Sequence, residues 1–336
     1  MRILMTGGTG AVGRMAVARL VEHRHDVTVI GRSAGIEIAG ATYRQCDIVD
    51  FACVTDCVQG MEGIVHLAAI PNPSKGTSEA IFHANCTGTF NVYQAAANAG
   101  IKRIISASSI NALGFNFGIR RFPLRYFPMD EAHPSFTTDP YSFSKQVMEE
   151  IGAYFWRREG ISSLFLRLPG VYEVTPENEA QVTAMRAAAR QQYQDLLAMP
   201  EEQRRVIVEG IIVQHDRLRA ERTFEVPDNF PQLRELPYAR VMFGYSNFWA
   251  SIDARDSAQC IEKGLLADFE GSHPVYVNDD YNSAGIPTEA LVAWFYPDVP
   301  LKRPLVGTET LVSIDRVRDL VGFEPEYSMG RWFGDS

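Results

Sequence analysis

The chain has 336 residues, 46% hydrophobic and 22% charged, with a net charge of −9. That length supports one large or two modest cores, and the acidic balance argues against a nucleic-acid surface or an anionic membrane as partner. No apolar run reaches a membrane span and no basic segment leads into a signal-like core, so the expected location is cytoplasmic.

The opening stretch MRILMTGGTGAVGR places the apolar run Ile3, Leu4 and Met5 before four glycines (Gly7, Gly8, Gly10 and Gly13) and a helix-like segment through Val21. A strand, a Gly-rich turn and a helix in that order form the context in which Gly-x-x-Gly-x-x-Gly binds a dinucleotide. The glycines permit a tight turn and close backbone approach, and the helix N-terminus favours phosphate. Residues 26–30 (DVTVI) read as a second strand with Gly31-Arg32-Ser33 at its end, 41–47 as a third, and 51–59 as a helix. Residues 64–69 (IVHLAA) form a fourth, 78–99 a helix, and 102–106 begin a fifth strand that runs on to Ser108-Ser109. Strands alternating with helices imply a parallel, doubly wound sheet with ligands beyond the carboxyl ends of the strands.

From Leu113 to Pro140 the chain is loop-like and rich in aromatic and basic residues, among them Phe115, Phe117, Arg120, Arg121, Arg125 and Tyr126. These either line a substrate pocket or pack a surface loop. His133 and Asp139 read as turn and cap residues. A long helix over 141–158 and a buried strand over 163–168 follow. Residues 177–222 read as helical with a break near Met199-Pro200, forming either an ordinary helical lobe or a lid. Residues 224–237 read as a proline-punctuated loop, 253–266 as a helix, 274–278 as a strand, and the segment SIDRVRDLVGF as a final helix. The odd count of five scattered cysteines (Cys46, Cys53, Cys57, Cys86, Cys260) suggests reduced, buried thiols. Cys53 and Cys57 share a helix face without a matching pair or clustered His, so no metal site is expected.

YSFSK at 141–145 sets a phenol and an ammonium four apart, on one helix face. A phenol of pKa about 10 is a poor base at pH 7. A nearby lysine and an oxidised nicotinamide favour the phenolate and are expected to draw that pKa down. A serine of the pair Ser108-Ser109 at the end of the fifth strand can hydrogen-bond the substrate oxygen that Tyr141 protonates or deprotonates.

Gly7-x-x-Gly10-x-x-Gly13, HLAA at 66–69, Asn85 with Gly88-Thr89 and Asn91, SASS at 106–109 and YSFSK at 141–145 together resemble the extended short-chain dehydrogenase/reductases of the NAD(P)-dependent epimerase/dehydratase superfamily. The resemblance covers 1–172 and returns at 252–256 and 322–325. It implies an α/β fold: a Rossmann-type doubly wound parallel sheet over 1–172 with a smaller, partly helical substrate lobe over 173–336. Part of 252–280 is expected to return to the sheet. It implies catalysis by Ser109, Tyr141 and Lys145, with Lys145 also holding the nicotinamide ribose. The cofactor would be bound by Gly7, Thr9, Gly10, Ala11, Val12, Gly13, Arg32 and Asn85. Asp47 and Ile48 would flank the adenine, Leu67, Ala68 and Ala69 would line the cleft, and Pro169 and Val171 would lie near the nicotinamide. Substrate would meet Ser109, Ile110, Asn111 and Tyr141. The helices at 78–99 and 141–158 match those that pair in dimers of such enzymes, which implies a homodimer.

Departures from the family pattern narrow the reading. Members using NAD often carry an acidic residue where this chain has Gly31, followed by Arg32, an exchange that suits a 2′-phosphate and favours NADP over NAD. The 4,6-dehydratases place Asp-Glu after the catalytic Ser/Thr, where this chain has Ile110-Asn111. Many nucleotide-sugar epimerases carry a phosphate-binding Arg where this chain has Trp249. The SASS run also resembles uronate dehydrogenases, but their Asn-His after the serine is not reproduced. The expectation is therefore hydride transfer at a secondary alcohol or ketone of a sugar or sugar derivative, as a dehydrogenase/reductase or a nucleotide-sugar epimerase. A dinucleotide-sensing regulator is the alternative, and the intact Ser109, Tyr141 and Lys145 set argues against it.

Overall fold

Ile3, Leu4 and Met5 are fully buried in β1 (Arg2–Thr6), and the rest of the chain is laid out around that strand. A computed structural model describes residues 1–222 and 235–334; most of the expected loop at 224–237 lies outside the described residues. The strands β2 (Asp26–Gly31), β3 (Thr42–Gln45), β4 (Gly63–His66), β5 (Arg103–Ala107), β6 (Ser162–Arg167) and β9 (Ser272–Tyr276) join β1 in a seven-stranded parallel sheet ordered β3-β2-β1-β4-β5-β6-β9. The order reverses between β1 and β4, which opens a crevice at their carboxyl ends. β9 pairs with β6 from Ser163↔Ser272 to Arg167↔Tyr276, so the late strand does return to the sheet.

Alternate residues of each strand feed two different cores, as the period of two requires. Ile3, Met5, Val29 and Leu164 pack under α1 (Ala11–Glu22) and the helix Ala254–Leu266. Leu4, Ile30, Ile64 and Phe165 pack under α2 (Phe51–Cys57), α4 (Gly88–Asn98) and α5 (Pro140–Glu159). The expected helix over 78–99 is formed by α3 (Ser78–Phe82) and α4 joined through a widened turn, His83–Thr87. A short parallel pair, β7 (Gly170–Tyr172) with β8 (Ser251–Asp253), was not foreseen. Three-residue strands carry too little periodicity to read.

A third core belongs to the lobe. α6 (Glu179–Ala198) and α7 (Glu201–Ala220) are separated at Met199-Pro200 as the sequence suggests, and bury Tyr193, Leu196, Val208 and Ile211 against Phe115, Trp249, Phe295 and Tyr296. Among the described residues no helix is long and apolar enough to cross a membrane.

Candidate active site

The glycine turn is built for close approach. Gly7 has φ +72°, and a Cβ there would come 2.6 Å from the Ala68 nitrogen; at Gly13 it would collide with the Gly7 carbonyl oxygen. Gly10 caps α1 with no side chain, so the first-turn amides face outward without a capping partner. Thr9, Ala11 and Val12 complete this turn beside the crevice. A larger residue at Gly7 or Gly13 would fill the cradle, and the geometry fits a pyrophosphate.

The opposite wall follows β4. The Thr6 hydroxyl accepts the Ala68 N–H at 3.0 Å and lies 2.8 Å from Nδ1 of His66, whose Nε2 is 3.0 Å from the Thr89 hydroxyl. Burial pushes His66 down to about 3, so it stays neutral. Leu67, Ala68 and Ala69 are left half-buried along the cleft. Asn85 accepts from the Ile70 N–H at 2.7 Å and donates to the Ile70 carbonyl and to the Ser144 hydroxyl, at 3.2 and 2.9 Å. Both its amide hydrogens are committed, so Asn85 shapes the cleft by fixing the loop after β4.

At the adenine end, Asp47 accepts the Val49 N–H at 3.1 Å, and Asn91 donates to the Ile48 and Val49 carbonyls at 3.1 and 3.0 Å. Arg32 is exposed. The space that glycine leaves at 31 is taken by Tyr43, whose hydroxyl lies 2.8 Å from where a Cβ would stand and donates to the Ser33 carbonyl at 2.6 Å. Cys46 and Cys53 lie 5.9 Å apart at Cα, with their sulfurs brought side by side by the turn between β3 and α2. Their sulfurs and that of Cys57 lie within 4.8 Å of one another.

Ser109, Tyr141 and Lys145 meet at the end of β5. Ser109 leads the short turn Ile110–Leu113 and accepts the Asn111 N–H at 3.1 Å; Ile110 and Asn111 are both buried. Asp139 caps α5 by accepting the Ser142 N–H at 2.8 Å, as foreseen, and so sets Tyr141 in the first turn. His133 is a buried turn residue whose Nε2 accepts the Arg125 N–H at 2.9 Å. Tyr141 is 5% exposed, hydrogen-bonds through its hydroxyl with Ser109, and meets Phe117 edge-on at 5.7 Å. Phe115 and Phe122 are core residues of the lobe.

The electrostatics here are those of the chain before a dinucleotide binds. Burial pushes the Tyr141 phenol up to about 12, with the Ser109 hydrogen bond opposing and Asp139 adding. The Lys145 ammonium donates to the Ala107 carbonyl at 2.8 Å and sits 5.9 Å from the Tyr141 ring centre. Burial lowers Lys145 to about 8, against Cys86 and Glu149, which raise it.

One supporting residue escaped the sequence reading. Glu149 accepts the Ser108 hydroxyl at 2.6 Å and a two-point contact from Arg167 at 2.9 and 2.8 Å, all buried. Arg167 in turn reaches the Tyr276 hydroxyl at 3.3 Å. Burial disfavours the Arg167 charge, but Glu149 more than restores it. No local spacing announces it, because both partners come from other elements. This buried knot ties α5, β5, β6 and β9 together directly behind Ser109.

The profile of the NAD dependent epimerase/dehydratase family matches residues 3–208. A uronate dehydrogenase of Pseudomonas putida is 30% identical over 172 residues, 50% of this chain and 60% of that protein. An L-arabinose 1-dehydrogenase (NAD(P)(+)) of Haloferax volcanii is 34% identical over 173 residues, 50% of this chain and 66% of that one. The chain thus spans less than two thirds of either relative. In fold it is similar to a short-chain dehydrogenase/reductase superfamily protein from Agrobacterium tumefaciens solved with bound NAD, at TM-score 0.64 and 20% identity over 100% of this chain and 95% of that one.

Proposed function

Because the chain belongs to the NAD dependent epimerase/dehydratase family, we propose that it transfers hydride to or from a secondary alcohol or ketone of a sugar or sugar derivative, using NADP in preference to NAD. The observation that carries this reading is the convergence of Ser109, Tyr141 and Lys145 at the carboxyl end of β5, across the crevice from the glycine turn. The turn residues Gly7, Gly10 and Gly13 hold the pyrophosphate, and Lys145 holds the nicotinamide ribose. Pro169 and Val171 border the nicotinamide. When bound, the dinucleotide supplies the hydride acceptor or donor.

Tyr141 exchanges the proton of the reacting hydroxyl, and Ser109 orients that oxygen through its own hydroxyl. Lys145 brings a buried positive charge that favours the phenolate as the proton leaves Tyr141. Ile110 and Asn111 border the substrate. Dehydrogenation and epimerisation use the same three residues; in epimerisation the ketone stays bound, turns and is reduced on its other face. The direct assay offers both dinucleotides with uronates and aldoses. Net dehydrogenation yields reduced dinucleotide, epimerisation yields the epimer with none, and a chain that converts no sugar contradicts the proposal.

Cofactor choice rests on Gly31-Arg32. A charge-assisted contact from Arg32 to a 2′-phosphate is worth about 1.5–3 kcal/mol, roughly a ten- to hundredfold preference for NADP. By calorimetry, Arg32→Ala erases most of that preference with NAD affinity unchanged. Gly31→Asp turns it toward NAD once the Tyr43 hydroxyl is displaced. Tighter NAD binding by the parent chain contradicts the assignment.

The dimer proposal has a surface to match. Phe82, Phe90, Phe143 and Tyr154 on α3, α4 and α5 are 39–47% exposed, and stack in pairs, Phe82 on Phe143 and Phe90 on Tyr154. Such a patch marks a protein contact. The double substitution Phe90→Glu with Phe143→Glu is expected to halve the mass in sedimentation; a monomeric parent chain contradicts the dimer.

A further inference from the structure

β3 ends at Gln45 and α2 begins at Phe51, and the turn between them gathers three of the five cysteines. Cys46 and Cys53 are 5.9 Å apart at Cα, inside the range of roughly 4.4–6.8 Å over which two cysteines join without moving the backbone. The sulfur of Cys57, one turn further along α2, lies within 4.8 Å of both. Cys46 and Cys57 are buried, while Cys53 is half-buried. Neither thiol of the pair has a strong partner: Cys46 donates weakly to the Asp47 carbonyl at 3.7 Å, and Cys53 to that of Gln45 at 3.8 Å. Burial pushes the Cys57 thiol up, with Arg44 opposing and Asp56 adding. Cys53 is therefore the sulfur that a reagent from solution meets first.

The same turn shapes the adenine end of the cleft. The Cys46 N–H donates to the Gly31 carbonyl at 2.8 Å, and the Gln45 side chain donates to the Arg32 carbonyl at 2.9 Å. β3 is thereby tied to the two residues on which cofactor choice rests. Between the cysteines stand Asp47 and Ile48, the residues that the family resemblance sets against the adenine. Asn91 pins this stretch through the Ile48 and Val49 carbonyls, and Asp50 ends it by accepting the Cys53 N–H at 3.0 Å. A bond from Cys46 to Cys53 closes a loop of sequence separation 7 around Asp47 and Ile48. It takes away freedom that dinucleotide binding would otherwise have to remove.

We propose that Cys46, Cys53 and Cys57 form a thiol–disulfide exchange site, closed by small-molecule disulfides and opened by small-molecule thiols, whose closed form binds the dinucleotide more tightly. The Cys53 thiolate attacks one sulfur of the small disulfide; that S–S bond breaks, and the thiolate released takes up the proton Cys53 gave. Cys46 then attacks the Cys53 sulfur of the mixed disulfide, and the second small thiolate leaves with the Cys46 proton. Two protein thiols are oxidised by two electrons, and one small disulfide is reduced to two thiols. Cys57, in reach of both sulfurs, attacks the closed pair and frees one of them, so the bond exchanges instead of serving as a fixed staple. The site stands apart from the hydride-transfer reading, since neither sugar nor turnover enters its test.

The probe is glutathione, oxidised or reduced, on the full chain, which is then unfolded in an alkylating agent, digested and weighed. Oxidised glutathione is expected to join the peptides of Cys46 and Cys53 and leave Cys86 and Cys260 alkylated; reduced glutathione reverses this. Cys46→Ser is expected to stop with glutathione carried on Cys53, and Cys57→Ser to close as the parent does but reopen about threefold or more slowly. By calorimetry the oxidised parent chain binds dinucleotide about three- to tenfold tighter than the reduced one, and Cys46→Ser binds equally in both mixtures. Should a variant fail to fold, the two forms of the parent chain decide. No joined peptides, a bond that reduced glutathione leaves intact, or equal dinucleotide affinity in the two forms each overturns the proposal. Reopening of Cys57→Ser at the parental rate removes Cys57 from the site. A chain that exchanges and binds dinucleotide as expected but converts no sugar overturns the hydride-transfer reading and leaves the exchange site standing.

Discussion

Tyr141→Phe binds dinucleotide as the parent chain does and turns over at least about a hundredfold more slowly. Phenylalanine keeps the buried ring and its edge contact with Phe117, so only the hydroxyl shared with Ser109 is lost. The expected split is an unchanged dinucleotide affinity with a collapsed kcat. Burial, with Asp139 adding and the Ser109 hydrogen bond opposing, pushes the Tyr141 phenol up to about 12, so it is protonated at neutral pH before the dinucleotide binds. Its acid/base role therefore draws on the charge brought with the dinucleotide together with that of Lys145, and the oxidative rate is expected to rise with pH. Near-parental turnover in Tyr141→Phe would remove the residue from the mechanism.

Glu149→Ala destabilises the chain by about 3–5 kcal/mol, because it leaves the Arg167 guanidinium buried without its partner. Glu149→Gln keeps the shape and one acceptor oxygen, and costs less. The readout is the denaturant midpoint at constant slope. Since Ser108 hydrogen-bonds the same carboxylate one residue before Ser109, folded Glu149→Gln is expected to lose turnover as well. A loss below about 1 kcal/mol in Glu149→Ala would make the pair no better than a surface contact.

These expectations show how unevenly the sequence reports on the site. The glycine turn, Ser109 and the Tyr141–Lys145 pair are legible because each depends on short-range spacing on one strand end or one helix face. The sheet as far as β6 followed from the strand and helix alternation, while the return of 272–276 beside β6 was implied by the family resemblance. Glu149 with Arg167 was not legible, since its meaning comes from a pairing between residues 18 apart on two different elements. Tyr43 occupying the space beside Gly31 depends on the β2–β3 register. The Cys46–Cys53 pairing depends on how one turn folds back. Arg186 reads in sequence as one more cation on a surface helix. The rings of Tyr172 and Trp332, brought from 14 residues before it and from residue 332, lie against it in a buried site.

The α6–α7 segment bears on motion, because α6 lines a cavity of about 690 Å³ beside Gly170 and Ser251 and both helices bury side chains in the lobe core. If it closes over substrate, amide exchange over 179–220 slows when substrate joins dinucleotide. Unchanged protection marks the two helices as a fixed wall.

The central claim is that hydride passes between the sugar and a nicotinamide dinucleotide at the Ser109–Tyr141–Lys145 site. It is tested most directly by incubating the chain with oxidised dinucleotide and a sugar deuterated at the reacting carbinol carbon, then weighing the dinucleotide and the sugar by mass spectrometry. The account predicts deuterium in the reduced nicotinamide, or on the opposite face of the epimerised sugar, with the parent chain and not with Tyr141→Phe. Product that forms with its deuterium lost to water, or that forms equally with Tyr141→Phe, would contradict it.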